Sequence, residues 1–141
     1  MLRMSTNTSI FLLVEDDEDD AFFMQRAFEE ARLRNALHVV RNGEEAMDYM
    51  AGRNAFSNRG QFPLPNLVFL DLKMPGVDGF EVLSWIRHEL KSPVPVAVLT
   101  SSPEEIDRKR ARELGADCYL LKPPTPAMIL SCCRQFDLSC S

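Results

Sequence analysis

The sequence predicts an α/β protein in which a five-stranded parallel sheet is covered by helices on both faces. Three observations predict it. Four unbroken apolar runs, at 9–14, 67–70, 95–99 and 118–121, have the length and make-up of strands buried on both faces. Segments of helical period follow them, and with a shorter strand expected at 36–41 the order is βαβαβαβαβα, the pattern of right-handed parallel crossovers. Four of the strands stop on a polar side chain that can do chemistry: Glu15, Asp71, Thr100 and Lys122. In open α/β sheets, ligands bind at that carboxyl edge.

Composition narrows the class. A chain of 141 residues is long enough for one core, and neither an internal repeat nor a second domain is visible, so 1–141 is expected to be one domain. The net charge of −5 and pI near 5.0 argue against sequence-independent nucleic-acid binding. No apolar run approaches the ~20 residues of a membrane span. Residues 1–8 are polar, lack a signal-peptide core and are expected to be flexible. These features point to the cytoplasm. The cysteines show no metal spacing; Cys118, Cys132 and Cys133 are read as reduced, mostly buried apolar residues.

Taken in order, the first strand ends in six consecutive acids, Glu15 to Asp20. A solvated helix start explains the later ones, where acids suit the macrodipole, but not acids at the very end of a buried strand. The helix from about 19 to 33 carries a core stripe of Met24, Ala27, Phe28 and Ala31. Phe22 lies nearly opposite that stripe and is a candidate exposed aromatic beside the acids. Asn42 and Glu45 read as a capping box for the next helix, which runs to about 50. Residues 51–65 lack periodicity and exceed a typical connection, so they are expected to form a mobile surface loop.

The third strand ends at Asp71, followed by Met74-Pro75-Gly76 and Asp78-Gly79 turn chemistry. Asp78 and Glu81 cap a helix over about 79–90. After the fourth strand, Ser102 reads as N-cap, Pro103 as first helical residue and Glu105 as the closing partner; Gly115 ends that helix. Arg108, Lys109, Arg110 and Arg112 crowd it, making it a solvated surface or a docking face. Thr125 and Pro126 open the last helix, whose core stripe is Ile129, Cys132, Cys133 and Phe136.

If strands one and three are neighbours, Glu15, Asp16 and Asp71 converge. Each pair at ~5 Å would repel by roughly 3 kcal/mol at an effective dielectric of 20. Three such pairs cannot stand uncompensated in a domain stable by ~5–15 kcal/mol. A cation or a shifted pKa must relieve them, and an oxygen-only cluster suits Mg²⁺ completed by waters and a phosphate. Lys122 adds a positive charge for a phosphoryl group, and Thr100 a hydroxyl.

Five pieces in order now match a known pattern: Glu15-Asp16, the stretch Leu70-Asp71-Leu72-Lys73-Met74-Pro75-Gly76-Val77-Asp78-Gly79, Thr100-Ser101, Tyr119-Leu120-Leu121, and Lys122-Pro123. With them the chain resembles, over essentially its whole length, the receiver domain of two-component response regulators. The resemblance implies a flavodoxin-like fold with strand order 2-1-3-4-5. It implies that Asp71 accepts a phosphoryl group from the phosphohistidine of a sensor histidine kinase. Asp16 and Asp71 would bind Mg²⁺ directly, Glu15 largely through water, and Lys73 through its main-chain carbonyl. Thr100 and Lys122 would hold phosphoryl oxygens, Tyr119 would be the aromatic that moves with Thr100, and Lys122-Pro123 would be cis. Within the family, the segments at 41–46 and 63–66 and the longer loop resemble single-domain regulators paired with phytochrome kinases. The face made by the fourth helix, fifth strand and fifth helix is the expected surface for partner binding or homodimerisation, with Arg108 and Arg112 on it; Phe22 is a second candidate contact.

Departures from the common pattern are Glu15 where Asp is usual, and Ser101 after the switch threonine. Lys73 and Ser102 occupy positions that tune dephosphorylation in the family. Two other function classes compete. A haloacid-dehalogenase-type phosphatase needs a second Asp two residues after the first, and Lys73 stands there. A phosphorylation-independent scaffold would have lost the acceptor Asp or the Lys, and both are present.

Overall fold

The computed structural model describes residues 8–141; residues 1–7, which make up all but the last residue of the stretch 1–8 expected to be flexible, lie outside the described residues. The strands are β1 (Phe11–Val14), β2 (Leu37–Val40), β3 (Leu67–Asp71), β4 (Val96–Thr100) and β5 (Cys118–Leu121). The helices are α1 (Glu18–Glu30), α2 (Gly43–Ala51), α3 (Gly79–Ser84), α4 (Glu105–Glu113) and α5 (Pro126–Gln135). All strand pairs are parallel and the order is β2-β1-β3-β4-β5. This is the flavodoxin-like arrangement that the motifs imply.

Alternation along each strand sorts its side chains between two cores. Leu12, Val14, Val68, Leu70, Val96 and Val98 pack with residues of α2, α3 and α4. Phe11, Leu13, Leu67, Phe69, Ala97 and Leu99 pack with α1 and α5. Under α1, Phe11 meets Phe28 edge-on with 5.0 Å between centroids and stacks on Phe69 at 6.0 Å. The central strands are buried on both faces, and that is why their runs carry no polar residue before the terminal Asp71 and Thr100.

Several local readings hold. The Asp78–Glu81 capping box is reciprocal. Thr125 caps α5 with Pro126 at the start, and Lys122-Pro123 is cis. Others are corrected. Asn42 caps α2 by accepting from Glu45 N, but the Glu45 carboxylate accepts from Arg41 N instead of Asn42 N, so the box is one-sided. Ser102 does not cap α4. Thr100 Oγ1 accepts from Ser102 N at 3.1 Å and Ser102 Oγ accepts from Glu104 N at 3.3 Å. These two local turns occupy the residues before the helix, which therefore starts two residues past the expected first position, with Glu104 as an N-cap lacking a side-chain bond. Beyond Ser84 the helix widens into a π turn over Trp85–Glu89.

The segment 51–65, expected to be a mobile loop, is tied to the domain. It holds a short 3₁₀ turn, Asn54–Phe56. Arg59 donates to the main-chain oxygens of Tyr49, Met50 and Phe62 at 2.8, 2.8 and 3.1 Å. Tyr49 Oη donates to Pro63 O, and Phe56 and Phe62 pack on the Tyr49 ring.

Cys133 departs from its reading as a reduced residue: it is disulfide-bonded to Cys140, while Cys118 and Cys132 are free. No C-x-x-C signal announced the pair. It forms because the chain reverses after α5, which spacing alone does not reveal.

Candidate functional site

The run of six acids divides its labour once folded. Glu15 continues β1 and is buried, 1% exposed. Asp16 follows it at the surface. Asp17 is the N-cap of α1, accepting from the main-chain N–H groups of Asp19 and Asp20 at 2.8 and 3.1 Å. Glu18 pairs with Arg41 at 3.3 Å. Asp20, in the first turn of α1, reaches back to Lys122.

Because β1 and β3 are neighbours, the strand ends bring Glu15, Asp16 and Asp71 together, with one carboxylate oxygen of each lying within 4.8 Å of the others. Asp71 is 4% exposed. From β5, Lys122 places its Nζ 2.8 Å from Glu15 Oε1, 2.8 Å from Asp20 Oδ2 and 3.4 Å from Asp71 Oδ1. Sequence reasoning included Lys122 but missed Asp20. Its only signal was membership of the acid run, since Asp16 precedes the helix and no helical spacing relates the two.

Electrostatics follow from burial and crowding. Burial pushes Glu15 up to about 7, aided by the Asp71 charge and opposed by Lys122. Burial also raises Asp71, against the Lys122 charge. Burial works against the Lys122 ammonium, but Asp20, Glu15 and Asp71 outweigh it and hold its proton more firmly than usual. The carboxylate repulsion expected from sequence is thus relieved by one ammonium and by a raised carboxyl pKa. Compensation is incomplete in one respect. Glu15 Oε1 is buried with no directed hydrogen-bond donor, its Lys122 contact being a close ion pair only. An acceptor left so is suited to a cation.

The edges of the site are set by backbone. Gly76 turns the β3–α3 connection with φ +74°, and Gly79 packs so closely that a Cβ would strike the Asp71 carbonyl. Lys73 N lies 3.4 Å from Asp71 Oδ1, and its side chain reaches away to Asp107 Oδ2 on α4 at 3.3 Å. Thr100, fully buried, ends β4. Tyr119 Oη donates to Ser102 O at 3.2 Å, just past Thr100, and Arg108 lies over the Tyr119 ring at 4.9 Å. Arg108 is therefore part-buried on that ring, whereas Arg112 is exposed. Phe22 and Phe23 are both exposed and touch edge to face.

The family profile of the response regulator receiver domain matches residues 11–134. The chain is a response regulator receiver domain. It is 37% identical over 120 residues to the response regulator Rcp1 of Synechocystis sp., covering 84% of this chain and 79% of Rcp1. The Mn²⁺-bound form of Rcp1 superposes with a TM-score of 0.74 at 33% identity, over 92% of this chain and 94% of that one. The bacteriophytochrome response regulator AtBRR superposes with a TM-score of 0.81 at 36% identity, covering 94% and 95%. The phosphorylated cyanobacterial phytochrome response regulator RcpA gives 0.74 at 30% identity, covering 92% and 91%. Receiver domains work in two-component signalling: they accept phosphoryl groups, interact with histidine kinases and bind a divalent cation in an acidic pocket. No described helix of this receiver is long and apolar enough to cross a membrane.

Proposed function

We propose that Asp71 of this receiver takes the phosphoryl group, with Lys122 and Thr100 holding its oxygens. The observation that carries the reading is the meeting of Glu15, Asp16, Asp71 and Lys122 at one sheet edge, with Lys122 Nζ within 3.4 Å of two of the carboxylates and Asp71 at the centre of the strand order. The Asp71 carboxylate attacks the phosphorus of a phosphohistidine. The P–N bond breaks as the P–O bond forms, and the imidazole keeps the electron pair. Charge in such a transfer spreads over three equatorial oxygens, so a positioned cation matters more than a base. Lys122 stands ready for one oxygen and the Thr100 hydroxyl for another.

The residues present fit Mg²⁺: an all-oxygen set with a buried acceptor lacking a directed donor. Asp16 and Asp71, the main-chain carbonyl of Lys73, and Glu15 largely through water would hold it. When bound, the ion supplies positive charge to the phosphoryl oxygens. Slow self-dephosphorylation is expected, set by Lys73 and Ser102. The likeness to AtBRR, Rcp1 and RcpA supports a phytochrome histidine kinase as the donor. The output surface proposed is the α4–β5–α5 face, acting through a partner or a second copy, with Phe22 contributing to kinase contact.

Acetyl phosphate and a panel of kinases provide the test. Wild type should gain a Mg²⁺-dependent, hydroxylamine-sensitive phosphoryl group, and Asp71→Asn none. Label retained on Asp71→Asn overturns the assignment; transfer only from non-phytochrome kinases overturns the pairing.

A further inference from the structure

At the amino edge of the sheet, opposite Asp71, the segment after α5 doubles back on the domain. Helix α5 ends in a reversal: Leu138 N donates to Cys133 O at 2.8 Å, Asp137 N to Arg134 O at 3.3 Å, and Asp137 itself takes φ +52°. Seven residues of extended chain could span about 23–25 Å. The reversal instead brings the Cα atoms of Cys133 and Cys140 to 6.5 Å, within disulfide range. The cap bonds that make this turn are main-chain bonds, so the two sulfurs are held near each other whether or not they are joined.

The same segment is then strapped across the start of β1. Ser9 N donates to Ser139 O and Ser139 N to Ser9 Oγ, both at 2.9 Å. Asn35, 8% exposed, donates from Nδ2 to Ser9 O at 2.9 Å and Ser139 O at 2.8 Å, and accepts from Ser141 N at 3.0 Å. Phe136, Leu138 and Cys140 pack onto the α1–α5 core. An open groove of about 410 Å³, lined by Cys133, Arg134, Leu138 and Cys140, leaves the sulfurs within reach of a small reagent. The other two cysteines do not share this geometry. Cys118 and Cys132 lie 4.0 Å apart, thiol against thiol in hydrogen-bond contact.

We propose that Cys133 and Cys140 form a reversible dithiol–disulfide site, and that its redox state decides whether residues 136–141 stay fastened across the amino edge of the sheet. The co-reactant is a cellular dithiol in one direction and a small disulfide in the other. A dithiol thiolate attacks Cys140 Sγ, on the less buried of the two cysteines, and Cys133 leaves as a thiolate that takes a proton. The second thiol of the reductant then resolves the mixed disulfide, leaving two cysteine thiols and an oxidised reductant. Arg134, on the same groove, is a cation on the side where the Cys133 thiolate emerges. Reduction leaves the cap bonds but removes the covalent tie, so the strap then rests on its hydrogen bonds with Ser9, Arg34 and Asn35 and on the packing of Phe136, Leu138 and Cys140.

The test uses the whole chain, treated with oxidised glutathione or with dithiothreitol, then denatured and alkylated with iodoacetamide. Intact mass should show alkylation at Cys118 and Cys132 only after oxidation, and at all four cysteines after reduction. Peptide mapping should find the Cys133–Cys140 link. Hydrogen exchange at Ser139 and Ser141 should be roughly tenfold faster in the reduced protein, because the covalent tie no longer restricts opening of the strap. Cys140→Ser should exchange at that fast rate under both conditions, while acetyl phosphate labels it as it labels wild type. Four alkylated cysteines after oxidation, a Cys118–Cys132 link instead, or exchange indifferent to reduction each overturn the proposal.

Discussion

At the residue scale, burial resets the ionisation of Glu15, as the crowding of carboxylates led one to expect. Its folded pKa, about 7, stands above the 4.5 of an ordinary glutamate, because burial disfavours the charge. The folded state therefore binds more protons than the unfolded chain between those values. By linkage, this group's contribution to stability is full below about 4.5 and is lost as pH rises to about 7. In chelated, metal-free buffer, thermal midpoints of wild type should fall across that interval, and Glu15→Gln should flatten the fall. An unchanged slope in Glu15→Gln would assign the pH dependence to other groups. Gly79 offers a second residue-scale prediction. A Cβ there would also approach Leu72 Cα to 2.6 Å, and backbone cannot step aside as a side-chain tip can. Gly79→Ala should cost roughly 1–3 kcal/mol in urea unfolding and lower phosphorylation, since the strained atoms belong to Asp71 and its neighbour.

At the element scale, two connections hold helices in place. The 51–65 segment is fastened by one guanidinium, which satisfies the carboxyl end of α2 through Tyr49 O and Met50 O. Arg59→Ala should destabilise by about 1–3 kcal/mol, the cost of leaving partly buried acceptors unpaired. Arg59→Lys should rescue only part of it, because an ammonium lacks the planar fork. Denaturant midpoints of the two variants decide this. The second connection is the Lys73–Asp107 pair between the β3–α3 turn and α4, with Lys73 61% exposed and Asp107 only 13%. Removing it should change stability by no more than about 1 kcal/mol. A larger effect is proposed for signalling: a phosphoryl group on Asp71 would draw the Lys73 ammonium away from Asp107. Asp107→Asn should therefore raise apparent beryllofluoride affinity, measured by Trp85 fluorescence, and the gain should vanish in the Lys73→Gln background.

At the scale of the whole molecule, the proposed phosphoryl site and the proposed α4–β5–α5 output face would communicate through Thr100, Ser102 and Tyr119. Phosphorylation adds about −1.5 to −2 charge at neutral pH. Drawing the buried Thr100 hydroxyl toward that charge removes its acceptance of Ser102 N, and Ser102 O is where Tyr119 is held. The ring is then free to take the vacated space, carrying Arg108 with it. Beryllofluoride should shift self-association or partner affinity in wild type, while Thr100→Ala should lose the shift and keep most Asp71 phosphorylation. Sedimentation of both proteins with and without beryllofluoride is the measurement. An equal response in Thr100→Ala would route the switch elsewhere.

Local chemistry carried most of the fold. Buried runs, caps at Asp78 and Thr125, and the polar strand ends are written in neighbouring residues, so strand count, helix order and the meeting of Glu15, Asp16, Asp71 and Lys122 at one sheet edge were legible from the chain. What sequence could not supply was set by atoms distant along it. Lys122 takes Asp20 as a partner 102 residues away. Lys73 finds Asp107 because α4 lies beside the β3–α3 turn. The 51–65 segment is tied by an arginine that reads as any surface arginine until the Tyr49 carbonyl turns toward it. Cys133 meets Cys140 because a left-handed residue at Asp137 reverses the chain. In each case the sequence supplied the group, and the partner was chosen by where parallel strands and helix ends placed it in space.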